Sequence, residues 1–275
     1  MTTRVLGNGQ SAAVGDHQWD SDSIVFRGTS SSVGIDPVVT FSGTNDLGSI
    51  SVYGYGARSG YGVIQLNAKS AVSTNGVHLS NGRLAIDQRP GGMLVMNGKS
   101  WLSNHSTLGA TALYGLGSVQ LNGAVNIDGT STVNMDYMPV TGRGTFRLTG
   151  EGALLRLGSV SAAITVKLDS GMLSLTDGMR FLGTITDSSP SESRISASSS
   201  VQVFNTWAAV AEVFDRSNGV LELLDANGQR VAHLKFAGRG DLYARPDAAA
   251  GSVVISSHPS QDSLPVTFAQ DSLAA

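Results

Sequence analysis

Cysteine is absent from the 275 residues, which removes disulfides, thiolate metal sites and cysteine nucleophiles together and leaves a chain whose stability does not depend on redox compartment. Charge is scarce. Asp, Glu, Lys and Arg make up only 14% of the chain, with a formal net charge of -3. The cations stand singly rather than in runs that track phosphates, which excludes nucleic acid as an expected partner. No apolar run approaches the ~18 residues of a membrane span. The opening MTTRVLGNGQSAAVGDHQWD also lacks the apolar core of a signal peptide, so an exported chain is expected either to use a route read elsewhere, such as a C-terminal secretion signal, or to have a processed N-terminus.

What the chain has instead is glycine, small polar residues and a short apolar beat. Strand-like pairs recur as Ile50/Val52, Ile64/Leu66, Val77/Leu79, Leu84/Ile86, Leu94/Met96, Val119/Leu121, Val125/Ile127, Val133/Met135, Phe146/Leu148, Leu155/Leu157, Val166/Leu168 and Leu173/Leu175. A period of two means one buried face per strand. Between the pairs lie Asn75-Gly76, Asn81-Gly82, Asn97-Gly98, Asn122-Gly123, Asp128-Gly129 and Asp177-Gly178, dipeptides that tolerate the positive φ of tight corners. As hairpin turns they would make a β-sandwich, the alternative fold. The spacing favours another architecture. Every third pair returns after 21 residues (Ile127 to Leu148), 20 (Leu148 to Leu168) or 22 (Met135 to Leu157), lengths that match one coil of a solenoid. The expected fold is therefore all-β, a right-handed parallel β-helix with three short strands per coil.

The ends depart from this body. Residues 1–47 have weaker pairs and read as an N-terminal cap in which Trp19 and Phe26 cover the first coil, since a solenoid needs protection from open-edge pairing. Residues 48–203 form the solenoid body, 204–260 a short helix and C-terminal β module, and 261–275 a tail. The helix is expected over 205–217, where Trp207, Val210, Ala211 and Phe214 fall at helical spacing and Asn205 or Thr206 caps the start.

The stretch NGVLELLDANGQRVAHLKFAGRGDLYARPDAAAGSVVISSHPS, residues 218–260, resembles the C-terminal β module of large secreted proteobacterial β-solenoid proteins of the adhesin and autotransporter-passenger type. Leu221/Leu223, the Asn227-Gly228 turn, Val231 to Leu234, Gly238 and Gly251 to Ile255 carry the likeness; residues 48–185 share only the style. These 275 residues contain no stretch that reads as the membrane-barrel translocator of that group, so the autotransporter route is not the one expected. The resemblance implies export and a surface or matrix role, and it implies no catalytic residues.

Catalysis finds little support in the residues themselves. The carboxylates Asp128, Asp136, Glu151, Asp169, Asp177 and Asp187 fall about one per coil, and glycoside hydrolysis needs a pair on one face. Asp20 and Asp22 lack the nonapeptide context of calcium-binding β-rolls. His17, His78, His105, His233 and His258 are far apart in sequence, and no Gly-x-Ser-x-Gly elbow appears. We assign no catalytic, cofactor or metal residue. Arg239-Gly240-Asp241 reads as a turn with a surface ion pair rather than an integrin-type ligand. Two interaction sites are candidates. Tyr53, Tyr55 and Tyr61 alternate with glycines as an aromatic strip for sugars or subunits. Val266 and Phe268 in the tail are placed to add a short strand either to the next subunit or to their own chain.

The function expected is that of a secreted, non-catalytic structural or adhesive protein of the bacterial surface or biofilm matrix, self-associating end to end into a homo-oligomer or filament. The alternative is a polysaccharide-binding or polysaccharide-degrading β-helix, recognised by outward carboxylates and aromatics converging in one groove.

Overall fold

Alternation with period two buries one side of each short strand, and in the computed structural model those sides face a common interior. The structure describes residues 2–29, 36–54, 59–112, 117–187, 196–259 and 261–268. Every apolar pair named above lies on a strand with both members buried. Three sheets carry them, of 13, 12 and 5 strands, and through the body each strand pairs in parallel with the strand one coil away. Long crossings between parallel neighbours rule out the sandwich, whose strands would pair through hairpins. The fold is a β-solenoid.

Coil length follows from register. Ile24 pairs with Ile50 and Ile50 with Val77, steps of 26 and 27 residues. Val125 to Phe146, Phe146 to Val166 and Val166 to Ile185 are steps of 21, 20 and 19. The coils shorten because the third side shrinks. After the strand Val140–Gly142 that side continues only as single bridges, Val140 to Val160 and Val160 to Phe181. The 21-, 20- and 22-residue steps read from the sequence are all observed register pairs.

Inside, like stacks on like. Phe26, Val52, Leu79, Leu102, Ile127, Leu148 and Leu168 form one continuous column, each in contact with its equivalents at about 4.8 Å, the strand spacing. Small hydroxyls serve the corners. The Ser100 Oγ accepts the Val77 amide at 3.0 Å and the Ser131 Oγ accepts the Ser106 amide at 3.2 Å, which satisfies backbone donors where the chain bends out of the sheet.

Several corner glycines are there for a reason other than φ. Asn81 and Gly129 do adopt positive φ, 49° and 62°. Gly98 and Gly123 do not. A Cβ on Gly123 would instead sit on the Gly98 carbonyl oxygen, and one on Gly98 would sit on the Asn75 carbonyl oxygen. These corners are glycine because successive coils touch there backbone to backbone. Gly123→Ala is expected to destabilise the protein by about 1–3 kcal/mol, the usual cost of overpacking. Gly109→Ala is expected to be neutral, because a Cβ there meets nothing within 4 Å. Denaturant midpoints of the two variants test the difference.

The N-terminal residues belong to the same sheets. Thr3–Leu6 and Ser23–Phe26 open the first sheet, and Ser11–Val14 and Val38–Phe41 the second. Phe26 is fully buried, and Trp19 packs edge-on against Phe41 at 6.0 Å with the Arg4 guanidinium over its ring.

The helix expected over 205–217 is not there. Ala209–Asp215 is a strand, paired antiparallel with Val220–Asp225. Glu212 and Phe214 point inward, while Val210 and Trp207 are exposed. The spacing of Trp207, Val210, Ala211 and Phe214 fits a helix by chance. The stretch instead starts a hairpin whose turn is held by Asp215, which accepts the Ser217 amide at 2.9 Å, and by Gly219 at φ 72°. The hairpin continues into Arg230–Phe236, which joins the last parallel coil through Thr184/Lys235 and Ile185/Phe236. On the second sheet Ser252–Ser256 adds antiparallel to Ser199–Phe204 and is followed by Tyr243–Asp247. The C-terminal module thus adds antiparallel pairs beyond the last parallel coil on both sheets.

Candidate functional site

Among the described residues, the first edge of the solenoid and a cleft at one corner are the candidate places for a site. At the edge, Thr3–Leu6 and Ser11–Val14 end their sheets, with no strand on their outer side among the described residues. The Ser23 amide donates to the Thr2 carbonyl and the Arg27 amide to the Leu6 carbonyl. Since the bonding residues of a parallel strand alternate, Thr3 and Val5 direct their N–H and C=O groups outward. In the second strand the Val38 and Ser42 amides donate to Gln10 and Val14, which leaves Ser11 and Ala13 facing out. Val5 is about half exposed. A hollow of about 530 Å³ lies beside it, lined by Arg4, Leu6, Gln10 and Trp19 among others.

The cleft is built from successive coils. Met135, Leu157, Leu175 and Val203 are in register, so the residues that follow them line one corner rung by rung. Asp136 to Pro139, Gly158, Ser159, Thr176, Asp177 and Arg180 enclose about 430 Å³. Gly158 lets the rungs close, since a Cβ there would strike the Asp136 carbonyl oxygen. The Asp136 side chain is only 2% exposed; its Oδ2 meets Arg156 Nη2 at 2.9 Å, while its Oδ1 has no hydrogen-bond partner. Burial pushes the pKa of Asp136 up, opposed in part by the Arg156 charge. Tyr137, the next residue, is 75% exposed. Arg180 pairs with Asp177 at 3.3 Å. The turn after Val203 is tied to the same corner by Asn205 Nδ2, which donates to the Thr176 carbonyl at 2.9 Å, and it carries the exposed Trp207.

The tyrosine strip and the tail, the two interaction sites expected from the sequence, lie elsewhere. Tyr53 is exposed at the end of Ile50–Tyr53, and Tyr61 lies in Gly60–Leu66 with the Arg83 guanidinium 5.6 Å from its ring centre. Tyr55 lies outside the described residues. The strand Val266–Phe268 pairs in parallel with Glu212 to Phe214 of its own chain, the second of the two placements expected for the tail. Asp241 of the Arg-Gly-Asp string takes a two-pronged bond from Arg216, at 2.6 and 2.9 Å. Asp20 and Asp22 are held by His17 at 2.7 Å and Arg4 at 2.8 Å. Asp128 accepts the Gly129 amide, Asp177 the Met179 and Arg180 amides, and Asp169 pairs with Arg147 at 2.7 Å. Among the described residues no three His, Asp or Glu side chains are close enough to hold a metal ion. Asp136 and Asp177, some forty residues apart in sequence, line the same cleft because they follow strands two coils apart, a placement visible only once register is known.

One ladder on the first sheet has no signal in the sequence. Trp101 is half exposed and stacked on His78, ring centres 5.1 Å apart and planes 26° from parallel. Their register pairing is what brings them together.

The chain matches no protein-family model, and no curated protein matches it.

Proposed function

We propose that the protein is a non-catalytic structural or adhesive β-solenoid of the bacterial surface or matrix, exported and assembling end to end. The observation that carries this reading is the open first edge, where two adjacent parallel strands present outward backbone groups on neighbouring sheets. Unpaired strand edges of this kind are templates for another strand. A second copy is the favoured occupant because the far end of the molecule terminates in the same two sheets, at Val266–Phe268 in the first and Tyr243–Asp247 in the second. Head-to-tail contact of unlike ends does not close, so it propagates into a filament. The occupation of Asp128, Asp169 and Asp177 by turn amides and arginines supports a framework role for those carboxylates over a chemical one. Export and the surface setting rest on the resemblance of residues 218–260 to secreted solenoid modules.

Proline tests the edge without disturbing the fold. Val5 and Ala13 direct their amides outward, so Val5→Pro with Ala13→Pro removes no internal hydrogen bond and leaves a blocked edge, the position where strands tolerate proline. The wild-type chain is expected to lengthen with concentration in negative-stain images and light scattering, and the double variant to stay monomeric with an unchanged β-rich circular dichroism spectrum. Assembly by the variant equal to that of the wild type would place the contact elsewhere.

A further inference from the structure

We propose that residues 264–268 are a strap that closes over Glu212 while this carboxyl is protonated and lifts off when it ionises, uncovering the edge of Ala209–Asp215 for the first strand of a second copy. Glu212 is fully buried on the inward face of its strand, and neither carboxyl oxygen makes a full hydrogen bond. A protonated carboxyl tolerates such a place far better than a carboxylate. What encloses it is short. The Glu212 amide donates to the Pro265 carbonyl at 3.2 Å, the Leu264 amide to the Ala244 carbonyl at 2.7 Å, and Val266–Phe268 pairs with Glu212 to Phe214. Leu264 is itself buried. Ala244 is also the residue whose backbone lies beside the Glu212 carboxyl, so the strap is fastened at the acid itself.

The charged groups of the surrounding elements turn away from it. On Val220–Asp225 the inward residues are Leu221 and Leu223, while Glu222 turns to the other face and holds Arg230 and His233. Arg230–Phe236 turns Ala232 and Leu234 inward and leaves Lys235 exposed; Tyr243–Asp247 turns Ala244 inward and leaves Arg245 exposed. Asp215, Asp225 and Asp247 accept turn amides at the strand ends, and His258 and Asp262 are exposed. Among the described residues, then, an ionised Glu212 is a buried charge with no cation to neutralise it. Lifting five residues at one end of the fold is a small local opening that hydrates it.

The uncovered edge suits a coil strand. Arg230–Phe236 is parallel to the last coil strand, Thr184–Thr186, and two antiparallel pairings later Ala209–Asp215 again runs in the coil direction. Thr3–Leu6 of a second copy would therefore meet it in parallel, as Thr3–Leu6 meets Ser23–Phe26 within one chain. With the strap on, that end offers the three residues of Val266–Phe268; with the strap off, it offers the seven of Ala209–Asp215. Assembly is thus held back at acid pH and favoured on the alkaline side. The occupant rests on the end-to-end reading above, while the opening itself does not.

Burial pushes the pKa of Glu212 from the ordinary 4.5 up to about 7. The closed state holds the proton more tightly than the open one, so the open-to-closed ratio is expected to rise about 70-fold between pH 5 and pH 8. Hydrogen exchange on the full chain at low concentration reads that ratio through the Glu212 and Leu264 amides, once corrected for the intrinsic pH dependence of exchange. Glu212→Gln is expected to keep both amides as protected at pH 8 as at pH 5, and Leu264→Asp to leave the Glu212 amide open at both. In light scattering the wild type is expected to assemble at a concentration at least about tenfold lower at pH 8 than at pH 5, and Glu212→Gln to lose the difference. Equal corrected exchange at the two pH values, or a Glu212→Gln variant that follows the wild type, overturns the proposal. Opening on this schedule with no assembly at pH 8 overturns the second copy as the occupant, and the end-to-end reading with it, and leaves the switch standing.

Discussion

Ile127→Asp is expected to lower the unfolding free energy by roughly 3 kcal/mol or more, while Asn126→Asp, one residue away, changes it by no more than about 0.5 kcal/mol. Ile127 is fully buried and stacked between Leu102 and Leu148 on the neighbouring coils. A carboxylate there would have apolar side chains above and below it at strand spacing and no donor within reach. Even protonated, it would leave buried oxygen atoms unmet. Asn126 lies on the other face of the same strand, in register with Trp101 and Arg147. An aspartate there gives up only the long Asn126 Nδ2 bond to the Ser100 carbonyl, 3.4 Å, and its charge lies half exposed beside Arg147, which already pairs with Asp169. Urea denaturation of both variants measures the contrast, and equal midpoints would mean that the inward face is wrongly placed. The contrast is sharp because the side-chain period is two, so adjacent residues occupy opposite environments.

The second large effect is a pH dependence from Glu212. This residue is fully buried, with Phe214 two positions along on the same face and Leu223 directly across the pairing, both buried as well. The segment before the last strand covers it: the Glu212 amide donates to the Pro265 carbonyl at 3.2 Å and the Leu264 amide to the Ala244 carbonyl at 2.7 Å. Neither carboxyl oxygen makes a full hydrogen bond. Desolvation pushes the pKa from the ordinary 4.5 up to about 7, with the nearby Ala244 backbone offsetting part of the rise. The folded state therefore holds the proton more tightly than the unfolded chain. Its contribution to stability is complete below about pH 4.5 and is lost progressively as pH rises to about 7, beyond which the carboxylate is ionised in both states and folding is weaker by a constant amount. The loss is about 3 kcal/mol, since each tenfold difference in proton affinity between the two states is worth about 1.36 kcal/mol. In Glu212→Gln, stability is expected to be flatter than wild type across that window, and the variant is expected to be the more stable of the two at pH 8. Unfolding curves at pH 4.5, 6 and 8 decide it; parallel pH profiles for the two proteins would overturn the assignment. The region that loosens first on the alkaline side is expected to be Val266–Phe268, which pairs with Glu212 to Phe214.

Val125/Ile127 and Phe146/Leu148 announce their buried face through alternation alone, because a strand's two sides differ within four residues. The step from Ile127 to Leu148 announces the coil for a related reason, since a solenoid writes its repeat into the spacing. Gly98 and Gly123 are legible as corners, but backbone conformation, the cause that their sequence suggests, is not the operative one. That cause is contact with a carbonyl one coil away, which involves a residue more than twenty positions distant. Ala209–Asp215 reads as helix because its apolar residues satisfy two periods at once, and the choice between them is made by the partner strands Val220–Asp225 and Val266–Phe268. Nothing in AVAEVFD says that its glutamate will be enclosed.

By itself, then, the amino-acid sequence determined the inward columns, the coil length and the poverty of charge, all properties that local alternation and a regular repeat are sufficient to express. The tertiary structure alone decided the antiparallel hairpins that follow the coils, the burial of Glu212, the gathering of Asp136 and Asp177 at one corner, and which strand edges stay open. Each of these depends on register between segments far apart in the chain, and register is set by the summed packing of whole coils rather than by any short stretch of residues.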